Sequence, residues 1–399
     1  MKILYINALY SPMIQGGAEI SLKTLVESMQ AAGHEVSVLS LKPEGPLSTD
    51  WIDGVKVYRA ALQNTYWPFS KIRPMKLNRL WWHLRDQYNT SMQAAVRTVL
   101  QKEKPDIVSC HNLVGWSVAV WEEIHRAGIP IVQVLHDLYL LCANSDMFKG
   151  DHSCSKQCFS CSLLRHKHQK LSEQVDAAVG ISNFILQRFN TYHYFSKAQQ
   201  HTIYNTREIP AHPFPQARQA KQPLKIGYIG TLAEKKGIEW LIEQFRGLTI
   251  PASLKIAGGG KKDYESYLYH LATGSNITFV GYVDPADFYQ SIDILIVPSL
   301  WHEPLGMVAI EALANHVPVI ANSVGGLQET VQQEVNGLLC THEEPNSLAD
   351  AITRIYHDIG LFNRLVKNAR NSVEAILSSS RMVQEYSTVL DETLSKHRS

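Results

Sequence analysis

The stretch Pro298-Ser299-Leu300-Trp301-His302-Glu303-Pro304-Leu305-Gly306-Met307-Val308-Ala309-Ile310-Glu311-Ala312 carries the most information about this 399-residue chain. An apolar run, Ile292–Val297, predicts a strand just before it, and Pro304 suits the first turn of a following helix. Backbone amides near Gly306 and Met307 would then lie at the helix N-terminus, where the helix dipole favours anions. The stretch therefore predicts a strand, a loop and a helix with an anion site at the loop.

Two glutamates flank this predicted anion site. Glu303 lies in the loop, and Glu311 lies two helical turns further on, up to roughly 12 Å away at about 1.5 Å of rise per residue. Two carboxylates around a phosphate site suit a ligand with hydroxyls at both ends and phosphate between them, which is the layout of a nucleotide sugar. Solvated surface glutamates are the alternative interpretation, since Glu is seldom buried.

Apolar runs alternate with helical patterns along the chain, which is typical of an α/β protein with parallel sheets. The predicted strands are Lys2–Asn7, Val36–Leu41, Asp106–Cys110, Ile129–Leu135, Leu224–Ile229, Leu254–Ala257, Ile277–Val280, Ile292–Val297 and Val317–Ala321. A Pro-rich segment, residues 209–223, predicts a linker between domains at 1–208 and 224–379. We expect two doubly wound Rossmann-like domains that face an interdomain cleft, with ligands beyond the carboxyl ends of the strands.

The glutamate pair resembles the glutamate–seven–glutamate motif of the family 4 glycosyltransferases, which have the GT-B fold. Short motifs in the family's order extend the resemblance over nearly the whole chain: Gly16-Gly17-Ala18-Glu19, Pro105-Asp106-Ile107-Val108, His111-Asn112, His136-Asp137, Ser182-Asn183, Gly230 to Gly237, Val280-Gly281-Tyr282 and Gly325-Gly326. The resemblance implies a retaining, hexosyltransferase-type enzyme that moves a sugar from a nucleotide-sugar donor to an acceptor hydroxyl. The acceptor would be a glycan, a lipid-linked glycan or a small molecule in bacterial-type polysaccharide or glycoconjugate biosynthesis.

The same resemblance implies roles for single residues and for the last helix. Lys236 would neutralise the donor phosphate, Glu303 would lie by the donor sugar and phosphate, and Glu311 would bind the ribose hydroxyls. Thr231 stands where many relatives carry Arg, which leaves more of the phosphate charge to Lys236. A helix at about 380–399 would pack back on the first domain. The remaining implied contacts are His136 to the donor sugar, Gly16, Gly17, Gly230, Gly281, Tyr282, Gly306 and Met307 to the donor, and His111 and Asn112 on the acceptor side.

Other functions leave different signatures in a sequence. No GxGxxG opens either half, which counts against a dinucleotide-dependent oxidoreductase. No Asp-x-Asp pair is present, so we expect catalysis to need no metal ion or other cofactor. Two alternatives share the fold: a nucleotide-sugar epimerase and a catalytically silent nucleotide-sugar-binding protein. The second would be expected to have lost Glu303, Lys236 or Glu311, and all three are present.

Charge and hydropathy indicate where the protein works. Lys and Arg number 38 against 37 Asp and Glu, a balance that argues against a nucleic-acid partner. No apolar run is long enough to span a membrane, and the N-terminus does not resemble a signal peptide. We therefore expect a cytoplasmic protein, with peripheral contact at the inner membrane face as an open alternative.

That alternative rests on a basic, aromatic segment, residues 71–85, with Lys71 and Arg73 near its start. On a helix its apolar residues form one stripe, its basic residues form another, and Trp82 lies off the apolar stripe. The apolar stripe is Leu77, Leu80, Trp81, Leu84 and Tyr88, and the basic one is Lys76, Arg79 and His83. Packing of the apolar stripe on the protein's own sheet is the expectation. A membrane-surface or lipid-acceptor face is the alternative.

Four of the six cysteines, Cys142, Cys154, Cys158 and Cys161, lie within twenty residues. Their spacing, C-x11-C-x3-C-x2-C, approximates that of a structural zinc site, with the histidines at 152, 166 and 168 as substitutes for one thiolate. Free thiols are the alternative, and a reducing compartment disfavours disulfides. A zinc held by four thiolates would keep no open position for a substrate, so the predicted role is structural.

Overall fold

The structure of the chain is a computed structural model that describes residues 1–70, 74–211, 214, 218, 219 and 221–398. It divides into two compact units. The first comprises residues 1–147, 154–206 and 379–398, and the second comprises residues 148–153 and 207–378. The second unit therefore includes a hexapeptide, 148–153, that the predicted domain 1–208 contains. Parts of the predicted linker (residues 212, 213, 215–217 and 220), as well as Lys71 and Arg73, lie outside the described residues.

The elements up to residue 202 are β1 (Lys2–Ile6), α1 (Gly17–Ala31), β2 (Glu35–Lys42), β3 (Ser48–Ile52), β4 (Val55–Ala61), α2 (Lys76–Asp86), α3 (Gln93–Glu103), β5 (Ile107–Cys110), α4 (Ala119–Arg126), β6 (Ile131–Leu135), β7 (Phe148–Lys149), β8 (His152–Ser153), α5 (Phe159–Leu171), β9 (Ala177–Gly180), α6 (Asn183–Asn190) and β10 (Gln199–Thr202). Within the described residues, eight of these strands form one sheet in the order β10-β9-β6-β5-β1-β2-β4-β3. All of its neighbours pair parallel except the edge pair β3 and β4. Strands β7 and β8 form a separate hairpin in the second unit.

The remaining elements are β11 (Leu224–Ile229), α7 (Ile238–Arg246), β12 (Ala252–Ala257), α8 (Lys262–Leu271), β13 (Ile277–Gly281), α9 (Pro285–Gln290), β14 (Ile294–Val297), α10 (Met307–Ala314), β15 (Val319–Asn322), α11 (Leu327–Thr330), β16 (Gly337–Cys340), α12 (Ser347–His357), α13 (Ile359–Leu377) and α14 (Ser379–Arg398). In the described part of the second unit, six parallel strands follow the order β13-β12-β11-β14-β15-β16. The sheet places the ends of β11 and β14 side by side, and these strands lead into the Lys236 and Glu303 loops.

Hydrophobic periodicity accounts for how the helices pack. Helix α1 buries Leu22, Leu25, Val26 and Met29, the apolar positions that repeat at intervals of three and four residues. Helix α14 belongs to the first unit, where the Ser387 hydroxyl lies 3.5 Å from His34 Nε2 and the Arg381 guanidinium donates to the Tyr204 carbonyl at 2.8 Å. In the described ranges of the chain, no helix is both long and apolar enough to cross a membrane.

The expected packing of α2 on its own sheet is wrong. Leu77, Leu80, Trp81 and Leu84 are between 42% and 64% exposed, whereas Trp82, predicted to lie off the apolar stripe, is buried. The reason is local: the Trp82 indole N–H donates to the Tyr66 carbonyl at 3.1 Å, and the Asp86 carboxylate accepts from the Gly115 amide at 2.8 Å. These contacts turn the opposite face of the helix inward.

Candidate functional site

The Glu303 carboxylate in the second unit is almost completely buried and collects three hydrogen bonds on one oxygen. Its Oε1 accepts from the Lys236 ammonium, from the Ser299 hydroxyl at 2.7 Å and from the Trp301 indole N–H at 2.9 Å. Burial alone would raise the pKa of Glu303, but the charge of Lys236 and these three donors outweigh it and lower the pKa. Glu303 is therefore an ionised group held by a cation, as in a buried ion pair.

Backbone contacts join the loop after β11 to the loop after β14. The Lys235 carbonyl accepts the amides of Leu300 at 2.9 Å and Trp301 at 3.2 Å, and the Lys235 ammonium lies 4.3 Å from the centre of the Trp301 ring. Gly237 has φ 72°, and a Cβ there would lie 2.0 Å from the Pro298 carbonyl oxygen. Only glycine fits this close approach, so Gly237 determines the position of the neighbouring Lys236 backbone.

The turn after β15 contacts the backbone of the Glu303 loop and holds it in place. The Gly326 amide donates to the Glu303 carbonyl at 2.7 Å, and a Cβ on Gly325 (φ 57°) would lie 2.4 Å from that same oxygen. The Asn322 side chain donates to the Ser299 carbonyl at 2.8 Å. The Gly325-Gly326 motif, for which the sequence suggests no role, thus fixes the backbone that carries Glu303.

Helix α10 begins three residues after Pro304, so this proline lies in the preceding loop and not, as predicted, in the first turn. Gly306 precedes the helix with φ 85°, and Met307 is its first residue. The first amides of an α-helix have no partner within the helix, so they can donate to an anion. Glu311 lies on the same helix with a side chain 21% exposed, and its oxygens contact Arg207 Nε and the Tyr289 hydroxyl, each at 3.3 Å. Burial raises the pKa of Glu311, and the Arg207 charge opposes that rise.

Glycines bring the loops after β11, β12 and β13 into contact. The Gly258 amide donates to the Gly281 carbonyl at 2.7 Å, and a Cβ on Gly258 would lie 1.9 Å from the Gly230 carbonyl oxygen. The Tyr282 side chain beside them is 88% exposed. Gly230, Gly281 and Tyr282, all predicted donor contacts, therefore lie in one loop cluster of the second unit, with an aromatic ring open to a ligand.

Two histidines of the first unit form a neutral polar pair. His111 and His136, both buried, stack with ring centres 5.1 Å apart, and His111 Nδ1 lies 2.8 Å from His136 Nε2. His111 Nε2 lies 3.1 Å from the Ser109 hydroxyl. Burial lowers the pKa of both rings, that of His136 to about 4, so both are neutral near pH 7. His136 Nδ1 is buried without a hydrogen-bond partner among the described residues.

Of the other predicted residues of the first unit, Gly16 and Gly17 lie at the start of α1 and Asn112 follows β5. The Gly16 amide donates to the Glu19 carboxylate at 2.8 Å at the start of α1, which begins at Gly17. The Asn112 amide group donates to Asp137 at 3.1 Å, and burial raises the pKa of Asp137 to about 6. These residues shape the edge of the sheet around the His111–His136 pair.

The cysteines are only partly assembled. The sulfurs of Cys142 and Cys161 lie 3.7 Å apart, close to the edge of a tetrahedron whose Zn–S bonds are about 2.3 Å. Among the described residues, however, no group of three or more His, Cys, Asp or Glu side chains is arranged to hold a metal ion. The zinc site therefore stays a prediction, because Cys154 and Cys158 do not complete a metal site with the Cys142–Cys161 pair in this structure.

Sequence reasoning missed four side chains that hold the glutamates: Arg207, Tyr289, Ser299 and Trp301. Ser299 and Trp301 lie inside the quoted stretch, and their hydroxyl and indole N–H were available as a signal. Arg207 precedes Glu311 by 104 positions, so no periodic pattern links the two. The contact appears only when the fold is known.

Two doubly wound sheets, a lysine–glutamate pair at a helix N-terminus and a second glutamate along that helix define a GT-B glycosyltransferase. Comparison with known proteins agrees. The family described as "Glycosyltransferase Family 4" matches residues 15–207, and "Glycosyl transferases group 1" matches residues 212–372. The chain belongs to glycosyltransferase family 4.

Individual relatives support this membership. An uncharacterized 42.6 kDa protein in the cps region of Klebsiella pneumoniae is 32% identical over 331 residues, 82% of this chain and 87% of the relative. The Staphylococcus aureus capsular polysaccharide biosynthesis glycosyltransferase CapM is 30% identical over 183 residues, 43% of this chain and 48% of CapM. Glycosyltransferases of polysaccharide biosynthesis are thus among its homologues, and neither the epimerase nor the silent binding protein is favoured.

Solved structures show the fold. Sucrose-phosphate synthase from Thermosynechococcus elongatus superposes with a TM-score of 0.77 at 22% identity, covering 99% of each chain. Anabaena HepE in complex with UDP-glucose superposes with a TM-score of 0.70 at 19% identity, covering 99% of this chain and 100% of HepE.

Proposed function

We propose that this enzyme transfers a hexose from a nucleotide diphosphate sugar to a hydroxyl of a growing glycan, with retention of the anomeric configuration. The observation that carries the proposal is the ion pair between Lys236 and the buried Glu303 just before the N-terminus of α10, with Glu311 about one turn into the same helix. The Lys236 cation and the helix amides would bind the diphosphate of the donor, and the partly buried Glu311 carboxylate would bind its ribose. The second unit is accordingly the donor domain, and the first is the acceptor domain.

Lys236 and the amides near Gly306 and Met307 would stabilise the leaving diphosphate. The bond between the anomeric carbon and the diphosphate oxygen breaks, and its electron pair goes to that oxygen. The acceptor oxygen bonds to the same carbon on the same face, and its proton passes to the departing phosphate oxygen. Negative charge on the diphosphate grows during this step, so preorganised donors favour the transition state over the bound substrate.

Glu311 would accept hydrogen bonds from the two ribose hydroxyls. Arg207 and Tyr289 contact one carboxylate oxygen each, which orients both oxygens before the donor arrives. Tyr282 would stack on the base, and His136 Nδ1 would contact the sugar. The UDP-glucose complex of HepE supports a uridine nucleotide as the donor, and CapM supports a polysaccharide as the product.

Thermal shift against UDP-glucose, ADP-glucose and GDP-mannose tests the donor class, because a bound ligand raises the melting temperature. We expect a rise with one nucleotide sugar, its loss in Glu311→Ala and its retention in Glu343→Ala, an exposed glutamate of the same unit. The anomeric proton coupling of the product, compared with that of the donor, tests retention. No shift with any nucleotide sugar, or interconversion of the donor sugar without an acceptor, would contradict the proposal.

The cysteine cluster would hold a structural zinc that takes no part in sugar transfer. The 3.7 Å separation between Cys142 and Cys161 supports two of the four ligands. Elemental analysis of protein purified without a His-tag should find about one zinc per chain. A zinc content well below one per chain, with every thiol titrating freely, would contradict the zinc proposal. The proposed sugar transfer would not be affected by that result.

A further inference from the structure

Helix α2 in the first unit presents an apolar face to solvent. Leu77 is 64% exposed, Leu80 48%, Trp81 58% and Leu84 42%. At 100° per residue these four side chains span one side of the helix, directly opposite the buried Trp82 and Asp86. Contiguous exposed apolar surface of this kind marks an interaction site in a soluble protein.

The orientation of α2 is fixed by polar contacts on its inner face. The Trp82 carbonyl accepts from the Asn64 side chain at 3.2 Å, and the Asp86 carboxylate accepts from the Tyr139 hydroxyl at 2.7 Å. Rotating the helix to bury the leucines would break these bonds and expose Trp82. The apolar face is therefore held outward by the fold.

Helix α5 extends the same face. Phe159 is 85% exposed and Leu163 57%, and they lie one turn apart on α5. The Gln87 side chain, one turn beyond Leu84, donates to the Leu163 carbonyl at 2.7 Å and lies 2.7 Å from His166 Nδ1. The two apolar rows therefore adjoin through Gln87 and form one surface, here called the α2–α5 face, that comprises Leu77, Leu80, Trp81, Leu84, Phe159 and Leu163.

Positive charge borders the α2–α5 face. Lys76 and Arg85 are exposed on either side of the apolar row of α2, and Lys167 and Lys170 are exposed on α5. Asp86 is the sole acidic residue in the sequences of the two helices, and it is buried beside the Arg165 guanidinium, 3.8 Å away. An apolar row between basic side chains, with no exposed acidic side chain on either helix, complements an anionic lipid surface.

We propose that the α2–α5 face docks the enzyme on an anionic lipid bilayer, with the leucines and aromatic rings in the acyl boundary and the basic side chains at the headgroups. The inference goes beyond the proposed function, because it names a partner of the first unit rather than a donor or a reaction. A lipid surface is also where a lipid-linked glycan acceptor would be presented.

Flotation with vesicles tests the docking directly, without donor or acceptor. The unmutated protein should float with phosphatidylcholine vesicles that contain phosphatidylglycerol, far less with phosphatidylcholine alone, and progressively less as salt rises. Lys76→Glu combined with Arg85→Glu should weaken binding by about a hundredfold or more. Arg364→Glu combined with Lys367→Glu, which makes the same charge change at exposed positions of the second unit, should bind normally.

The apolar contribution has its own matched pair. Trp81→Ser should reduce flotation about tenfold or more, whereas Trp51→Ser, at a tryptophan that is 71% exposed on β3, should leave it unchanged. Circular dichroism melting checks that each variant is folded.

Failure of the unmutated protein to float at low salt overturns the proposal. Equal losses of flotation in a test variant and its matched control also overturn it. A dimer that Trp81→Ser dissociates would also overturn it, in favour of a second copy. Turnover with a soluble acceptor, measured separately, shows whether the proposed function stands.

Discussion

The Glu303 region of the second unit and the His136 region of the first unit stabilise buried polar groups in opposite ways. Glu303 keeps its charge because Lys236, Ser299 and Trp301 compensate for burial. His111 and His136 lose theirs because burial lowers the pKa of each ring, and the neighbouring His136 lowers the pKa of His111 further. Under the proposed function, the charged Glu303 region would meet the diphosphate of the donor, and the neutral histidine pair would meet hydroxyl groups.

Replacing Lys236 tests the charged side of this comparison and should have the largest effect. Lys236→Ala should lower kcat by about a hundredfold to a thousandfold, as loss of one preorganised donor does elsewhere. Steady-state kinetics measure it, and Lys367→Ala serves as the control. Because Glu303 loses its cation, the melting temperature should also fall, so Lys236→Arg, which keeps the charge, separates stability from catalysis. Near-normal kcat in a folded Lys236→Ala would remove Lys236 from the mechanism.

Glu311 tests whether charge in the second unit also serves binding. Glu311→Gln should weaken the donor by about tenfold to a hundredfold, because hydrogen bonds to a charged group contribute roughly 1.5–3 kcal/mol. The rate at saturating donor should change much less. Isothermal titration with the donor nucleotide, compared with Glu343→Gln, measures the difference. An unchanged dissociation constant would place the ribose elsewhere.

Because burial keeps His136 neutral, we expect the stability of the first unit to fall at acidic pH. The pKa of His136 falls to about 4 from its ordinary value near 6.5, so between these values the unfolded chain binds more protons than the folded one. Stability from this ring is complete above about pH 6.5 and falls, by on the order of 3 kcal/mol, as the pH drops to about 4. Urea unfolding between these limits should show a shallower pH slope in His136→Gln than in the unmutated protein. Equal slopes would mean that His136 is not buried neutral.

Chelation should have the smallest effect on activity. If Lys236 and the helix amides neutralise the diphosphate, EDTA leaves the initial rate unchanged, provided that circular dichroism shows an intact fold. Recovery of a chelated, folded enzyme from zero activity by Mg²⁺ or Mn²⁺ would show that a metal ion does the work assigned to Lys236.

Sequence alone predicts the fold and the glutamates, but not what holds them. The period of the apolar runs predicts the central strands and the inner face of α1, because these depend on local pattern. It fails for α2, where polar contacts of Trp82 and Asp86 with distant residues decide which face turns inward. The sequence does not predict the role of Arg207 for a similar reason, since its contact with Glu311 joins distant parts of the chain.

The order of segments along the chain bears on how the protein is made and recombined. Residues 207–378 separate α14 from the rest of the first unit, so during translation that unit receives its last helix only after the second unit has been synthesised. Until then, the surface near Met29 and His34 that contacts Ser387 is uncovered. Chimeras that exchange the second unit between relatives should therefore be joined at 206/207 and 378/379, with residues 148–153 taken from the parent that supplies the second unit. A cut at 208 alone would combine α14 and this hexapeptide with the wrong partners.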